Sequence, residues 1–107
     1  MKHILENIDK AFENKVRLGA MSALMVNDYL EFTELKNLLQ VTDGNLASHL
    51  KALEGKKYIS VKKQFIDRKP NTRYQVTGTG RMAFQKHLEA LEELLLMSNL
   101  PQKTQEK

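Results

Sequence analysis

Ile4, Ile8, Ala11 and Phe12 recur at helical spacing, which predicts a short amphipathic helix ending near Glu13. Asn14 can cap a second helix over 15–26, where two apolar stripes, Val16-Ala20-Ala23 and Leu18-Met21-Met25, mark a helix buried on more than one side. Asn27 and Asp28 supply a turn, and Tyr29 to Phe32 read as one short strand. Thr33 followed by Glu34 has the pattern of an N-cap with a first-turn acid, and Leu35, Leu38 and Leu39 give the next helix one apolar face. After Gln40 and Val41, Thr42 can cap again, with Asp43 favourable at the positive end of the helix dipole. Leu46, Leu50 and Leu53 then repeat at i, i+4 and i+7, and Gly55 stands where a glycine commonly closes a helix. Two short helices meeting through a tight turn predict a helix-turn-helix.

Beyond Gly55 the period changes. Ile59, Val61 and Phe65 alternate with Ser60, Lys62 and Gln64 as in a half-buried strand, and Tyr74 and Val76 continue the alternation in a second one. Asp67-Arg68-Lys69-Pro70-Asn71 between them contains turn formers and two cations, which predicts a β-hairpin with a charged tip. Thr77 opens a long helix with Phe84, Leu88, Leu91 and Leu95 at coiled-coil-like spacing.

With 107 residues, 41% hydrophobic and 28% charged, the chain suits one domain over residues 1–100 with a flexible tail over 101–107. No stretch approaches the roughly 18 consecutive apolar residues of a membrane span, and charges interrupt Met1 to Lys10 where a signal peptide is apolar, so a cytoplasmic location away from membranes is expected. The absence of cysteine excludes disulfides, thiolate metal sites and cysteine nucleophiles. Charge is unevenly placed. Lys51, Lys56, Lys57, Lys62, Lys63, Arg68, Lys69 and Arg73 stand against Glu54 and Asp67, a local net of +6, leaving −2 elsewhere in a chain of net +4. Such a segment is the footprint of a surface that docks a polyanion, or else a solvated lysine-rich face.

On the helix after Thr42, winding at about 100° per residue with the leucines inward turns Gly44, Ser48, Lys51 and Ala52 outward, flanked by Asn45 and His49. Small residues let a helix backbone approach DNA base edges, where Asn45, Ser48 and His49 can hydrogen-bond, while Lys51 suits a phosphate. The same small residues would equally serve a close helix-packing face. At the hairpin, Arg68 and Lys69 at the tip suit the negative potential of a narrow minor groove, and the outward strand positions add Lys62 and Arg73, with Lys63 and Asn71 beside them.

The segment TDGNLASHLKALEGKKYISVKKQFIDRKPNTRYQVTGTGRMAF resembles the recognition helix, two-stranded wing and final helix of winged-helix transcriptional regulators of the MarR, ArsR and PadR kind, and ENKVRLGAMSALM resembles their first core helix. The resemblance implies a mostly helical α+β fold, a winged helix-turn-helix with a two-stranded wing and flanking N- and C-terminal dimerisation helices. It implies a sequence-specific regulator, a repressor in kind, that binds double-stranded DNA as a homodimer. The recognition helix, with Thr42, Asp43, Gly44, Asn45, Ser48, His49 and Lys51, would lie in the major groove, and the wing, with Lys62, Lys63, Arg68, Lys69, Asn71 and Arg73, would reach the minor groove. The chain is shorter than typical MarR proteins and has no cysteine pair for metal sensing, so no effector is assigned. Winged helices also serve as protein-interaction modules, the competing reading.

A dimer has a separate argument. Leu91, Leu94, Leu95, Leu96 and Met97 wrap more than the one stripe a core needs, and the N-terminal Ile4, Leu5, Ile8 and Phe12 are a second apolar contributor. Ile4, Leu5, Ile8, Phe12, Leu88, Leu91, Leu94 and Leu95 are therefore the expected interface, unless the two terminal helices simply pack on each other within one subunit. Gly78-Thr79-Gly80-Arg81-Met82-Ala83 matches a dinucleotide-binding fingerprint, but no further strand follows its helix, so the glycines are expected to ease a tight turn into it. His3, His49 and His87 are too scattered to predict a metal site, and His87, near Glu89, Glu92 and Glu93, is expected on a polar helix face. Ser22 and Ser48 lack a predictable histidine partner, so neither an enzyme nor a cofactor is expected.

Overall fold

A computed structural model describes residues 1–101, so the tail expected over 101–107 lies outside the described residues except for its first position. Among the described residues the order is α1 (Lys2–Glu6), a 3-10 turn (Lys10–Phe12), α2 (Lys15–Met25), β1 (Leu30–Glu31), α3 (Phe32–Leu39), α4 (Asp43–Gly55), β2 (Ile59–Ile66), β3 (Lys69–Val76) and α5 (Gly78–Met97). The helices pack against one face of a small antiparallel sheet of strand order β1-β3-β2, in which β1 sets Leu30 opposite Tyr74. This is the mostly helical α+β architecture predicted, with a helix-turn-helix at α3–α4 and a wing at β2–β3.

Local chemistry fixes most element ends. The Asn14 side chain accepts from the Val16 and Arg17 N–H groups, and Thr42 Oγ1 accepts from the Asn45 N–H at 3.2 Å, as the sequence predicts. At α3 the cap lies earlier than Thr33: Glu31 is the N-cap, and Glu34 reaches back to accept its N–H at 2.8 Å. Gly55 does not close α4 in a left-handed conformation. It remains helical, and Lys57 takes the positive φ of 64° instead.

The core gathers Leu24, Leu35, Leu46, Leu50, Leu53, Ile59, Tyr74, Val76 and Phe84 around Ala20 and Met21. Leu46, Leu50 and Leu53 are buried, so one face of α4 is anchored by three side chains, each contributing about 1.5–3 kcal/mol from burial. The opposite face stays free.

Three expectations need correction at the N-terminal region. The first helix does not run to Glu13, because Asp9 is extended (φ −91°, ψ 122°) and its carboxylate caps the following 3-10 turn through the Ala11 N–H at 2.8 Å. Phe12 and Ile4, expected between subunits, are instead buried within one, at 2% and 3% exposure. Phe12 stacks on Tyr58 and meets Phe84 and His87 edge-on, so a second subunit has no access to it. His87 is likewise not on a polar face. It is buried, and its Nδ1 accepts the Asp9 backbone N–H at 3.0 Å, a partner 78 residues away in the chain.

Candidate nucleic-acid interface

Thr42, Asp43, Gly44, Asn45, Ser48, Lys51 and Ala52 are all exposed on α4, as is Ala47, which the helical winding from the leucines did not single out. A Cβ built on Gly44 would meet nothing within 4 Å, so within this chain the glycine is not part of a helix-packing contact. The face is small, polar and open. Asp43, the acid at the N-terminal end of this face, is held by Lys36 of α3 at 2.8 Å, which partly neutralises it and ties the two helices of the motif together.

His49 stands apart from this face. It is half-buried, and Arg17 of α2 donates to its Nδ1 at 2.9 Å while the same guanidinium donates through Nε to the Ala11 carbonyl at 2.7 Å. Arginine has no acceptor, so Nδ1 must accept and the ring proton sits on Nε2. Arg17 thereby bridges the 3-10 turn to α4. Arg17, Lys10 and Lys56 line a cleft beside Ala52, adding cations at the C-terminal half of α4. Sequence reading could not find this group, since Lys10 and Arg17 lie far from the basic segment.

In the wing, Ile66 pairs with Lys69, and Asp67 and Arg68 alone form the tip, both with positive φ (51° and 68°). The turn is thus narrower than the five residues expected: Lys69, Pro70 and Asn71 belong to β3. Pro70 is tolerated because it pairs with Phe65, the second pair from a two-residue turn, which exchanges no hydrogen bond, so its missing N–H costs the β2–β3 ladder nothing. Register divides the side chains between two faces. Ile59, Val61, Lys63 and Phe65 share one face with Val76, Tyr74, Thr72 and Pro70, and the buried members show that this face looks toward the helices. Lys62, Gln64, Lys69, Asn71 and Arg73 occupy the other. Lys63 is therefore separated from Lys62 and Arg73, with which the sequence groups it.

Two of the wing residues are engaged. The Arg73 guanidinium lies 4.2 Å from the centre of the Tyr29 ring, and its Nε is buried without a hydrogen-bond partner among the described residues. Asn71 Oδ1 accepts from Gln64 Nε2 across the strands at 3.1 Å. Lys62, Lys63, Arg68 and Lys69 are exposed.

The base of the wing is fastened to α5. The Thr77 N–H donates to the Tyr58 carbonyl at 3.0 Å, and the Thr77 hydroxyl donates to the Lys57 carbonyl at 2.7 Å while accepting the Gly80 N–H. Tyr58 in turn donates its hydroxyl to the Asp9 carboxylate at 2.6 Å. Burial, then the Asp9 carboxylate, pushes the Tyr58 hydroxyl up to about 12. Burial, assisted by Glu54, also raises Tyr74.

On α5 the inward stripe is Gly80, Phe84, His87 and Ala90. Leu88, Leu91, Leu95, Leu96 and Met97 remain exposed, with Leu5 of α1 alongside the same set of unburied apolar residues, whereas Leu94 and Ile8 are half-buried.

A helix-turn-helix with a free, small-faced second helix and a cationic hairpin after it defines the winged-helix class. Residues 16–95 match the winged helix DNA-binding domain family, and the chain belongs to that family. An uncharacterized protein of Methanocaldococcus jannaschii is 36% identical over 85 residues, which is 79% of this chain and 92% of that protein. The transcriptional regulator homologue protein of Pyrococcus horikoshii has a TM-score of 0.83 at 29% identity, covering 94% of this chain and 100% of that one. The transcriptional regulator BldR of Sulfolobus solfataricus has a TM-score of 0.64 at 18% identity, over 92% of this chain and 74% of that one, a likeness of fold. The MarR-like winged-helix resemblance drawn from the sequence agrees with these relatives.

Proposed function

We propose that the protein is a homodimeric, sequence-specific transcriptional regulator that binds double-stranded DNA and represses by occupying its site. The observation that carries this reading is the outward face of α4: it is exposed, small and polar, and none of the exposed large apolar residues lies on it. A protein-interaction module would present such residues there.

In this reading Gly44, Ala47 and Ser48 let the α4 backbone approach base edges in the major groove, Asn45 and Ser48 hydrogen-bond to them, and Lys51 meets a phosphate. Thr42 caps the helix, Asp43 orients it through Lys36, and His49 holds it through Arg17. Arg68, Lys69 and Lys63 carry the wing contact. Lys62, Asn71 and Arg73 support it from the other face. Leu88, Leu91, Leu94 and Leu95 with Leu5 and Ile8 form the dimer surface, whose twofold axis would set two α4 helices about 34 Å apart along one DNA turn.

The test is affinity for duplex DNA from the gene's own upstream region against random sequence, over a salt series. Steep salt dependence and a preference of at least about 10³-fold for the specific duplex are expected. Weak, equal binding to both duplexes overturns the reading and favours a protein partner.

A further inference from the structure

The wing has an apolar feature that a phosphate-tracking hairpin does not require. Phe65 is 75% exposed, the most exposed aromatic side chain among the described residues, one residue from the tip pair Ile66–Lys69. It stands opposite Pro70 at a non-hydrogen-bonded position, where facing side chains lie closest, so the two form a flat apolar blade. Cations flank it: Lys63 lies two residues back on the same face, and Arg68 and Lys69 lie ahead, while the nearby acids are Asp67 at the tip and Glu31, which lines a cleft on the Pro70 side. The blade is on the hairpin face that packs against the helices at its base, the face contiguous with α4.

We propose that Phe65, backed by Pro70, is a wedge that inserts between base pairs of the DNA minor groove and kinks the duplex beside the site read by α4. The wedge rests on the DNA-binding reading above and adds a specificity-determining residue to it. An apolar ring flanked by cations is complementary to a groove whose walls are phosphates and whose interior is a stack of aromatic bases. An acidic or purely apolar protein surface matches only one of those two components. Geometry adds a reason for insertion rather than passive contact. Paired strands lie about 4.8 Å apart before their side chains are counted, and the minor groove is about 6 Å wide, so the hairpin enters only if the groove opens. Apolar wedges open it by unstacking one step and bending the duplex toward the major groove. Pyrimidine–purine steps unstack most easily, so a TA or CA/TG step is expected in the DNA flanking the α4 contact.

The experiment compares the parent with Phe65→Ala, Phe65→Leu and Arg68→Ala on the duplex the parent binds tightest in the salt series, with donor and acceptor dyes at its two ends. Because Phe65 is already exposed, all variants should melt as the parent does. Phe65→Ala is expected to bind about tenfold to a hundredfold more weakly with an unchanged salt slope, and to lose the rise in energy transfer that reports bending. Phe65→Leu should keep most of both, and Arg68→Ala should instead lower the salt slope by about 0.9 per subunit bound. Parent-like affinity in Phe65→Ala, or weakened affinity with the bend intact, overturns the wedge while leaving the DNA-binding reading in place; a parent that binds no duplex overturns both.

Discussion

Gly78 and Gly80, two residues apart at the start of α5, should respond differently to the same added methyl group. At Gly80 a Cβ would lie 2.8 Å from the Tyr58 carbonyl carbon and 2.9 Å from its Cα, inside the 3.4 Å at which ordinary contact begins. Both atoms are backbone, so no side chain can swing aside. Relief requires α5 to move away from Tyr58, which stretches the Thr77 N–H bond to the Tyr58 carbonyl, now 3.0 Å, and the Thr77 hydroxyl bond to the Lys57 carbonyl, now 2.7 Å. Overpacking costs about 1–3 kcal/mol. Weakened hydrogen bonds add up to about 1 kcal/mol, and the better helix propensity of alanine returns about 0.5–1 kcal/mol. Because the Tyr58 carbonyl oxygen lies closer still, the overpacking cost falls at the upper end of that range, and Gly80→Ala is expected to destabilise by about 2–3 kcal/mol, a fall in Tm on the order of 10–20 °C for a domain of this size. A Cβ on Gly78 meets nothing within 4 Å, so Gly78→Ala is expected to be neutral or to stabilise by about 0.4–1 kcal/mol. Urea unfolding followed by circular dichroism, at one protein concentration because dimerisation would raise apparent stability, measures both. Gly80→Ala equal to or more stable than the parent would refute the close approach.

The raised tyrosines set an alkaline limit. A hydroxyl raised in the folded state favours folding fully below its unfolded value of 10.0 and loses that contribution as pH climbs toward about 12, so the urea midpoint should fall across that window. Tyr58→Phe should make the fall shallower, with Tyr74 retaining part of it, and an identical pH profile in the variant would contradict the assignment. Leu91→Glu or Leu95→Glu should reduce the mass seen by light scattering to that of one subunit without loss of helix content, since Leu91 and Leu95 are 41% and 76% exposed; equal masses in parent and variants count against the dimer. Leu50→Ala, by contrast, should cost about 2–5 kcal/mol in the same urea assay, because it empties the anchored side of α4, and a cost under about 1 kcal/mol would contradict that anchoring.

Helix α4 and the hairpin were legible because their determinants are local. Thr42 caps within three residues, the leucines of α4 repeat at helical spacing, and the alternation after Gly55 changes period at once. Errors cluster where the partner is distant in sequence. Nothing beside Phe12 shows that Tyr58, Phe84 and His87 will enclose it, and nothing beside His49 shows that Arg17, 32 residues away, will hold its ring. The wing tip misleads differently. Pro70 and Asn71 are common turn residues, yet the turn falls on Asp67 and Arg68, and only the register explains why proline is harmless in β3. Similarly, glycine at 55 satisfies the usual pattern for a helix end while the chain turns at Lys57.

The same distant contacts determine how α4 and the wing are connected to the exposed leucines of α5. Tyr58 sits at the base of the wing, Asp9 in the N-terminal segment, and His87 on α5 between the buried Phe84 and the exposed Leu88. Asp9 joins the other two directly, its carboxylate taking the Tyr58 hydroxyl at 2.6 Å and its backbone N–H donating to His87 at 3.0 Å. Gly80 adds a backbone-to-backbone contact with Tyr58 one helical stretch earlier. A twofold pair of recognition helices must match half-sites about one DNA turn apart, and side chains on a loose tether would not hold that spacing. Here the helix that bears the exposed leucines is fastened at two levels to the residue from which the wing departs, and Arg17 fastens the N-terminal segment to α4 as well. In the proposed dimer, the separation of the two DNA-reading surfaces is therefore set by α5 and the Asp9 segment together, and the buried Phe12 and His87 contribute to it without touching the partner.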